Sequence, residues 1–426
     1  MDAKKSISLK ALVDKKRNKV VLVESGKDFV DVLFSFLTMP MGTIIRLISN
    51  GPPTVGIGCM NNLYESVENL GAMIFRNETC KKMLLRPQNA AATYFNMFYP
   101  RCGSVFVKGT TCFIVTDKLQ VMPASTAVTV SLLTKDGVKD ASAIEEMTFD
   151  IGENEVLNLL RCLLVSKTPL TDTFLQDKIV SAIKEDFKSG LIRAKKEEYE
   201  SKGIKKIDVR LLLSKSKNML CYAEASDDFV DLVFSFLTIP LGCFAKEVHG
   251  SDCSIGCVNN LYNSVQQLDS DKYLKSNEHK EFLLSPKIAP GFGIQNQLLR
   301  LEEVVRGHKP CYTCNEISFL SCLLNVMDPQ SPYKNYLCEY DGGFVLCPGM
   351  FTVADNLIIT PISPVSGLSV LKELKVPFSD VEEHVVHVGY EEAVRLMIAS
   401  LVSESALSDT FGIPKQPKNV KSFEGE

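Results

Sequence analysis

The chain has 426 residues, and its 45% hydrophobic and 23% charged content is that of a folded globular protein, which excludes disorder over most of its length. A formal net charge of −4 gives no global attraction to nucleic acid or to an anionic membrane, and argues against both as partners. Fourteen cysteines spread over so long a chain do not make a small disulfide scaffold.

The opening MDAKKSISLKALV is charged and alternating and does not read as a secretory signal. The expectation is therefore a cytoplasmic or nuclear chain with reduced thiols. Ile7, Leu9, Ala11 and Val13 alternate with polar residues, KKRNK turns the chain, and VVLV follows at 20–23, which predicts a β-hairpin. Residues 29–48, FVDVLFSFLTMPMGTIIRLI, are apolar over a bilayer's length but carry Asp31, Pro40, Gly42 and Arg46. A charge at the centre of a membrane helix costs about 2.5–3.5 kcal/mol. A buried helix pair broken near Pro40 accounts for the same residues without a membrane.

A further helix is expected at 59–70, then short strands around 105–122. The next helix starts behind Ser125, a residue suited to the N-cap. A strand near 147–151 leads to a last helix, where Val156, Leu159, Leu160, Leu163 and Leu164 make one apolar face behind acidic Glu153 and Glu155.

This whole order then recurs. ESGKDFVDVLFSFLTMPMG at 24–42 faces EASDDFVDLVFSFLTIPLG at 224–242, and IGCMNNLYESV at 57–67 faces IGCVNNLYNSV at 255–265. The halves close on LTDTF at 170–174 and LSDTF at 407–411. So long a period belongs to a duplicated domain, not to a solenoid unit. The reading is an α+β tandem duplication of two homologous domains, each with a β-hairpin, paired helices and further short strands and helices. The first domain spans 1–184 and a charged linker 185–206. The second spans 207–412 with a cysteine-bearing insertion at about 287–343, and 413–426 form a disordered tail.

DFVDVLFSFLTMPMG, GCMNNLYESV, GGFVLCPGMFTVADNLIITPIS and VGYEEAVRLMIASLVSESALSDTF resemble the plant family known as domain of unknown function 674, over nearly the whole chain. The resemblance implies no established activity. It does imply a cysteine-rich segment in mid-copy, of which copy one keeps little beyond Arg101-Cys102-Gly103.

Candidate chemistry is sparse. In copy two, Cys311 and Cys314 stand in CxxC spacing, and Cys338 and Cys347 could complete a tetrahedral zinc site, with His308 as a substitute ligand. Ordinary loop or core cysteines account for them more simply, and a redox or stray thiol pair is a further alternative. His249, Cys253 and Cys257 have possible ligand spacing in what reads as a polar loop. All five histidines lie in copy two, so no His-based mechanism is shared by both. His384 and His387 lie on a strand and point to opposite faces. VGIGCMNN, with Gly56 and Gly58, lacks the third glycine of a dinucleotide loop and reads as a close helix approach.

One pattern is duplicated in its polar residues. Asp28, Asp31, Ser35 and Thr38 form a narrow stripe on an otherwise apolar helix, and recur as Asp228, Asp231, Ser235 and Thr238. Asn61 and Asn62 recur as Asn259 and Asn260. Stripe and Asn pair could line a polar pocket or partner groove in each domain, or could satisfy the fold's own backbone. The resulting expectation is a non-catalytic binding or protein-interaction protein, its partner a protein or small molecule. The alternative is an enzyme of unrecognised class, metal-assisted by zinc in the second domain.

Overall fold

A computed structural model describes residues 6–49, 56–91, 105–109, 111–175, 206–251, 253–289, 292, 298–304, 343–346 and 349–414. The architecture is mixed α+β, with two five-stranded antiparallel sheets. The expected linker, but for Lys206, lies outside the described residues, as do most of the insertion and the tail from Lys415 onward. Two compact units emerge: residues 1–55, 89–184 and 239–287 form the first, and residues 56–88, 185–238 and 288–426 the second.

In the first unit the strand order is β4-β3-β2-β1-β5. Its strands are β1 (Ile7–Asp14), β2 (Lys19–Ser25), β3 (Phe113–Thr116), β4 (Val121–Pro123) and β5 (Ile144–Ile151). The β1–β2 turn is tied by Asp14, whose Oδ1 accepts from the N–H groups of Lys16 and Arg17 at 2.9 and 3.0 Å. Leu9, Ala11 and Val13 are buried on one face, while Ser8 and Lys10 are exposed on the other.

Helix α1 (Lys27–Thr38) buries Phe29, Val30, Leu33, Phe34 and Leu37. It stops at Met39, extended ahead of Pro40 as residues before proline prefer. The chain resumes as α2 (Met41–Ser49). The bilayer-length stretch is thus two short helices, and among the described residues no helix is long and apolar enough to cross a membrane. Helix α5 (Thr126–Lys135) flanks the outer sheet face behind Ser125. The N-terminus of α6 (Glu153–Val165) is closed by Glu155, whose Oε2 accepts from Gly152 N–H at 2.8 Å. The short α7 (Pro169–Phe174) ends this part of the chain. The unit is completed by segments of copy two: α9 (Leu241–Val248), α10 (Val258–Gln267), α11 (Ser270–Tyr273) and α12 (Asn277–Leu284), of which α9, α10 and α12 touch α1.

The second unit repeats the plan with strand order β10-β6-β7-β8-β9. The strands are β6 (Ile207–Ser214), β7 (Met219–Ser226), β8 (Met350–Val353), β9 (Ile359–Pro361) and β10 (Val381–Val388). Both hairpins carry a register shift at the same place, between Leu12 and Val13 and between Leu212 and Leu213. Its helices from copy two are α8 (Asp227–Ser235), α13 (Pro364–Glu373), α14 (Tyr390–Val402) and α15 (Ala406–Phe411). Copy one supplies α3 (Met60–Asn69) and α4 (Glu78–Leu85).

The compact units therefore cut across the sequence copies at 1–184 and 207–412. Matching bonds mark the exchange in each unit. Cys257 N–H donates to Leu163 O at 2.8 Å in the first, and Cys59 N–H to Ser400 O at 2.8 Å in the second. Val121 N–H donates to Ser264 Oγ at 2.9 Å, and Ile359 N–H to Ser66 Oγ at 3.0 Å. The copies share one apolar pattern, so only long-range packing decides which sheet receives which helical segment.

Candidate functional site

The duplicated polar residues go to backbone. Asp31 Oδ1 accepts from the N–H groups of Phe106 and Val107, both at 2.9 Å, and Oδ2 from Val105 at 3.1 Å. Asp231 Oδ1 accepts from Phe344 and Val345 at 2.8 and 2.9 Å. A side chain at Gly343 would collide with the Asp231 carboxylate. Burial pushes the Asp231 carboxyl up to about 7. Ser35 and Thr38 bond back to the carbonyls of Val32 and Ser35, and Ser235 and Thr238 to those of Leu232 and Ser235. Asp28 and Asp228 are exposed in the first turns of α1 and α8, where the helix dipole favours them.

The Asn residues are placed in the same manner. Asn61 Oδ1 accepts from Ile57 N–H at 3.1 Å and Asn259 Oδ1 from Ile255 N–H at 3.2 Å, each fixing the turn before its helix. Asn62 Nδ2 donates to Asn356 O and Asn260 Nδ2 to Lys118 O, each at 3.0 Å. The structure brings the stripe of each copy into one unit with the Asn pair of the other, and their bonds run to different loops.

The glycine–cysteine pairs explain themselves at the same helix ends. Gly58 and Gly256 have φ of +50° and +48°. A Cβ on Gly256 would stand 2.6 Å from Leu164 O, and one on Gly58 2.7 Å from Leu401 O. The neighbouring thiols of Cys257 and Cys59 donate to Ser166 O and Ser403 O at 3.2 and 3.0 Å. Burial pushes the Cys257 thiol up to about 12, far from a reactive thiolate.

Two carboxylates not singled out by the sequence act in parallel. Asp117 accepts from Thr171 N–H and Oγ1 at 2.9 and 2.8 Å, and Asp355 from Ser408 N–H and Oγ at 2.7 and 2.8 Å. Burial raises both carboxyls, Asp117 to about 6. The signal was available in the repeated LTDTF and LSDTF, whose first hydroxyl residue is the one held.

The histidines are dispersed. The His279 ring is buried, its Nδ1 2.7 Å from Ser276 Oγ, and burial lowers its pKa. His387 Nδ1 lies 2.6 Å from Asp208 Oδ1, His384 Nε2 3.3 Å from Glu382 Oε1, and the His249 ring stands beside Tyr262. Among the described residues no group of three His, Cys, Asp or Glu side chains could hold a metal ion, so His249, Cys253 and Cys257 do not form one. Cys311, Cys314, Cys338 and Cys347 all lie outside the described residues, as does His308.

Among the described residues each unit presents a concave surface. In the first, a cleft of about 430 Å³ lies between α5 and the outer sheet face, with Leu12, Leu22 and Ile114 on its floor and Lys10, Glu24, Glu146 and Thr129 around it. In the second, a groove of about 480 Å³ runs between α13 and Pro377-Phe378. Val365, Leu368, Ser369 and Lys372 line it at i, i+3, i+4 and i+7 of one helix. Val365 is 74% exposed, Leu368 51% and Phe378 73%. Copy one has Ala127, Val130, Ser131 and Thr134 at the matching helix positions. Neither surface was legible in one copy alone; the signal lies in where the copies differ.

Comparison with curated proteins and with solved structures finds no match. A family model does match, over residues 3–99 and 100–391, nearly the whole length over which the duplicated elements run. The chain belongs to the family described as protein of unknown function (DUF674).

Proposed function

We propose that the chain is a non-catalytic interaction protein, and that its second unit docks an apolar, acid-flanked helical segment of a partner protein in the groove beside α13. The observation that carries this reading is the row of exposed apolar side chains, Val365 and Leu368 on the helix and Phe378 across from them. Burying one such side chain is worth about 1.5–3 kcal/mol, so three together are a substantial driving force. Their i, i+3 spacing suits a helix laid alongside. The opposite face of α13 is already occupied: Leu371 and Leu374 pack with Met219, Cys221, Tyr222 and Val376. Exposed Lys372 lines the C-terminal end of the groove, and Lys217 Nζ donates nearby to Leu374 O at 2.6 Å. That basic end favours acidic residues beside the partner's apolar stripe.

The test uses labelled helical peptides with Leu at i, i+3, i+4 and i+7, flanked by Glu or by Lys, and follows fluorescence anisotropy. The Glu-flanked peptide should bind, and Phe378→Asp and Leu368→Asp should each weaken it by about tenfold or more. Equal binding of both peptides, or indifference to both substitutions, would refute the reading. Concentration-dependent dimerisation lost in Phe378→Asp would instead assign the groove to a second copy.

A further inference from the structure

The duplication supplies a second structure of every site, and in one place the two copies differ by what fills it. In the second unit Arg210 bridges two carboxylates: its Nη1 is 3.2 Å from Glu224 Oε2 and its Nε 2.7 Å from Glu383 Oε1. Beside it Tyr222 is buried under α13. The close approach depends on Gly367, where a Cβ would stand 2.7 Å from the phenol oxygen.

Copy one keeps both carboxylates, as Glu24 and Glu146, but changes what lay between and beneath them. Lys10 replaces the arginine, Leu22 the tyrosine and Thr129 the glycine. Lys19 and Asp136 also replace Met219 and Leu374, two members of the cluster that draws α13 onto its sheet. Helix α5 consequently has no buried residue, and the cleft stays open. Lysine is a point charge where arginine is a planar fork, and among the described residues Lys10 makes no ion pair with either glutamate. Glu24 keeps one described partner, the Cys112 thiol at 3.2 Å.

We infer that this cleft in the first unit binds a small amphipathic amine or guanidine, whose cationic head meets Glu24 and Glu146 and whose apolar or aromatic body lies against half-buried Leu12, beside the buried Leu22 and Ile114. The ligand's head would meet the two carboxylates that Arg210 bridges in the second unit, and its body would take the space between the sheet and the helix that the longer Tyr222 fills there. At about 430 Å³ the cleft falls within the range of small-molecule sites, about 300–1,000 Å³. The Thr129 hydroxyl donates to Ser125 O at 3.1 Å and keeps its lone pairs for a ligand donor. Lys10 competes with the ligand for the carboxylates and sets an upper limit on affinity. This inference does not rest on the partner groove: it concerns another unit and another ligand.

Titration calorimetry of the full chain with tyramine, agmatine and the neutral phenol tyrosol tests it. Tyramine or agmatine should bind and tyrosol should not. Glu146→Gln, at an exposed position, should weaken binding by about tenfold, and Lys10→Ala should strengthen it. Leu22→Tyr with Thr129→Gly rebuilds the packing of the other copy and should abolish binding without lowering the melting temperature. Absence of amine binding at millimolar concentration, or amine binding unchanged by Glu146→Gln and Lys10→Ala, would overturn the inference. Should the double variant fail to fold, those two single variants decide.

Discussion

Replacing Asp31 by alanine is the most direct probe of how the first unit is held. One carboxylate, 9% exposed, takes three successive N–H groups, and two of these belong to residues that are themselves buried, Phe106 and Val107. A buried donor left without an acceptor costs about 1–3 kcal/mol, so two cost about 2–6 kcal/mol. A domain's whole stability is about 5–15 kcal/mol. Asp31→Asn keeps an acceptor for the two buried N–H groups but loses the charge and turns an amide towards one of the three donors. It should cost about 1–3 kcal/mol, since bonds to charged groups are the stronger ones. Urea unfolding at pH 7 gives the magnitude, and hydrogen-exchange mass spectrometry over 105–109 gives the location. Protection there should collapse in Asp31→Ala before the rest of the unit is affected. Asp31→Ala within about 1 kcal/mol of wild type, with 105–109 still protected, would refute the clamp and restore Asp31 as a candidate binding residue.

Gly256→Ala should destabilise by at least about 1–3 kcal/mol from backbone strain alone, because φ is +48° and its Cβ would meet Leu164 O; a melt no lower than wild type would contradict the close approach. Burial raises the Asp117 and Asp231 carboxyls above their unfolded value of about 4. Their contribution to stability is therefore complete below about pH 4 and is lost as pH rises through about 6 and about 7, so Asp231→Asn should flatten the fall of denaturation midpoint between pH 4 and 8. Proteolytic nicking within 185–206 should leave two fragments that co-elute under native conditions, since each compact unit needs chain from both sides of the cut. Separation into two stable monomers would show that the copies fold alone.

What the sequence made legible is what short-range chemistry decides. The hairpin at Ile7–Ser25, the helix break at Pro40 and the helix start behind Ser125 follow from alternation, a missing donor and a residue suited to the cap, although Ser125 makes no side-chain cap bond while its counterpart Ser363 Oγ accepts from Ser366 N–H at 3.3 Å. The duplicated stripe was visible as polarity on a helix, but the partners of Asp31 lie more than 70 residues further along the chain, and no local pattern names them. Gly58 was readable as a close approach, yet the helix it approaches belongs to the other copy. The cleft beside α5 escaped because it is made by absences, a tyrosine shortened to Leu22 and a lysine in place of a forked cation.

The exchange of helical segments also changes what counts as an inherited part. A deletion that removes copy two takes away the 239–287 segment that completes the first unit, and leaves 56–88 without the sheet it covers. Each compact unit draws residues from both sequence copies. Substitutions in one copy are then tested against the other: a change at Gly58 is judged by Leu401, and one at Gly256 by Leu164. Lineages of this chain should drift as paired segments, 1–55 with 239–287 and 56–88 with 288–426, not as two independent repeats.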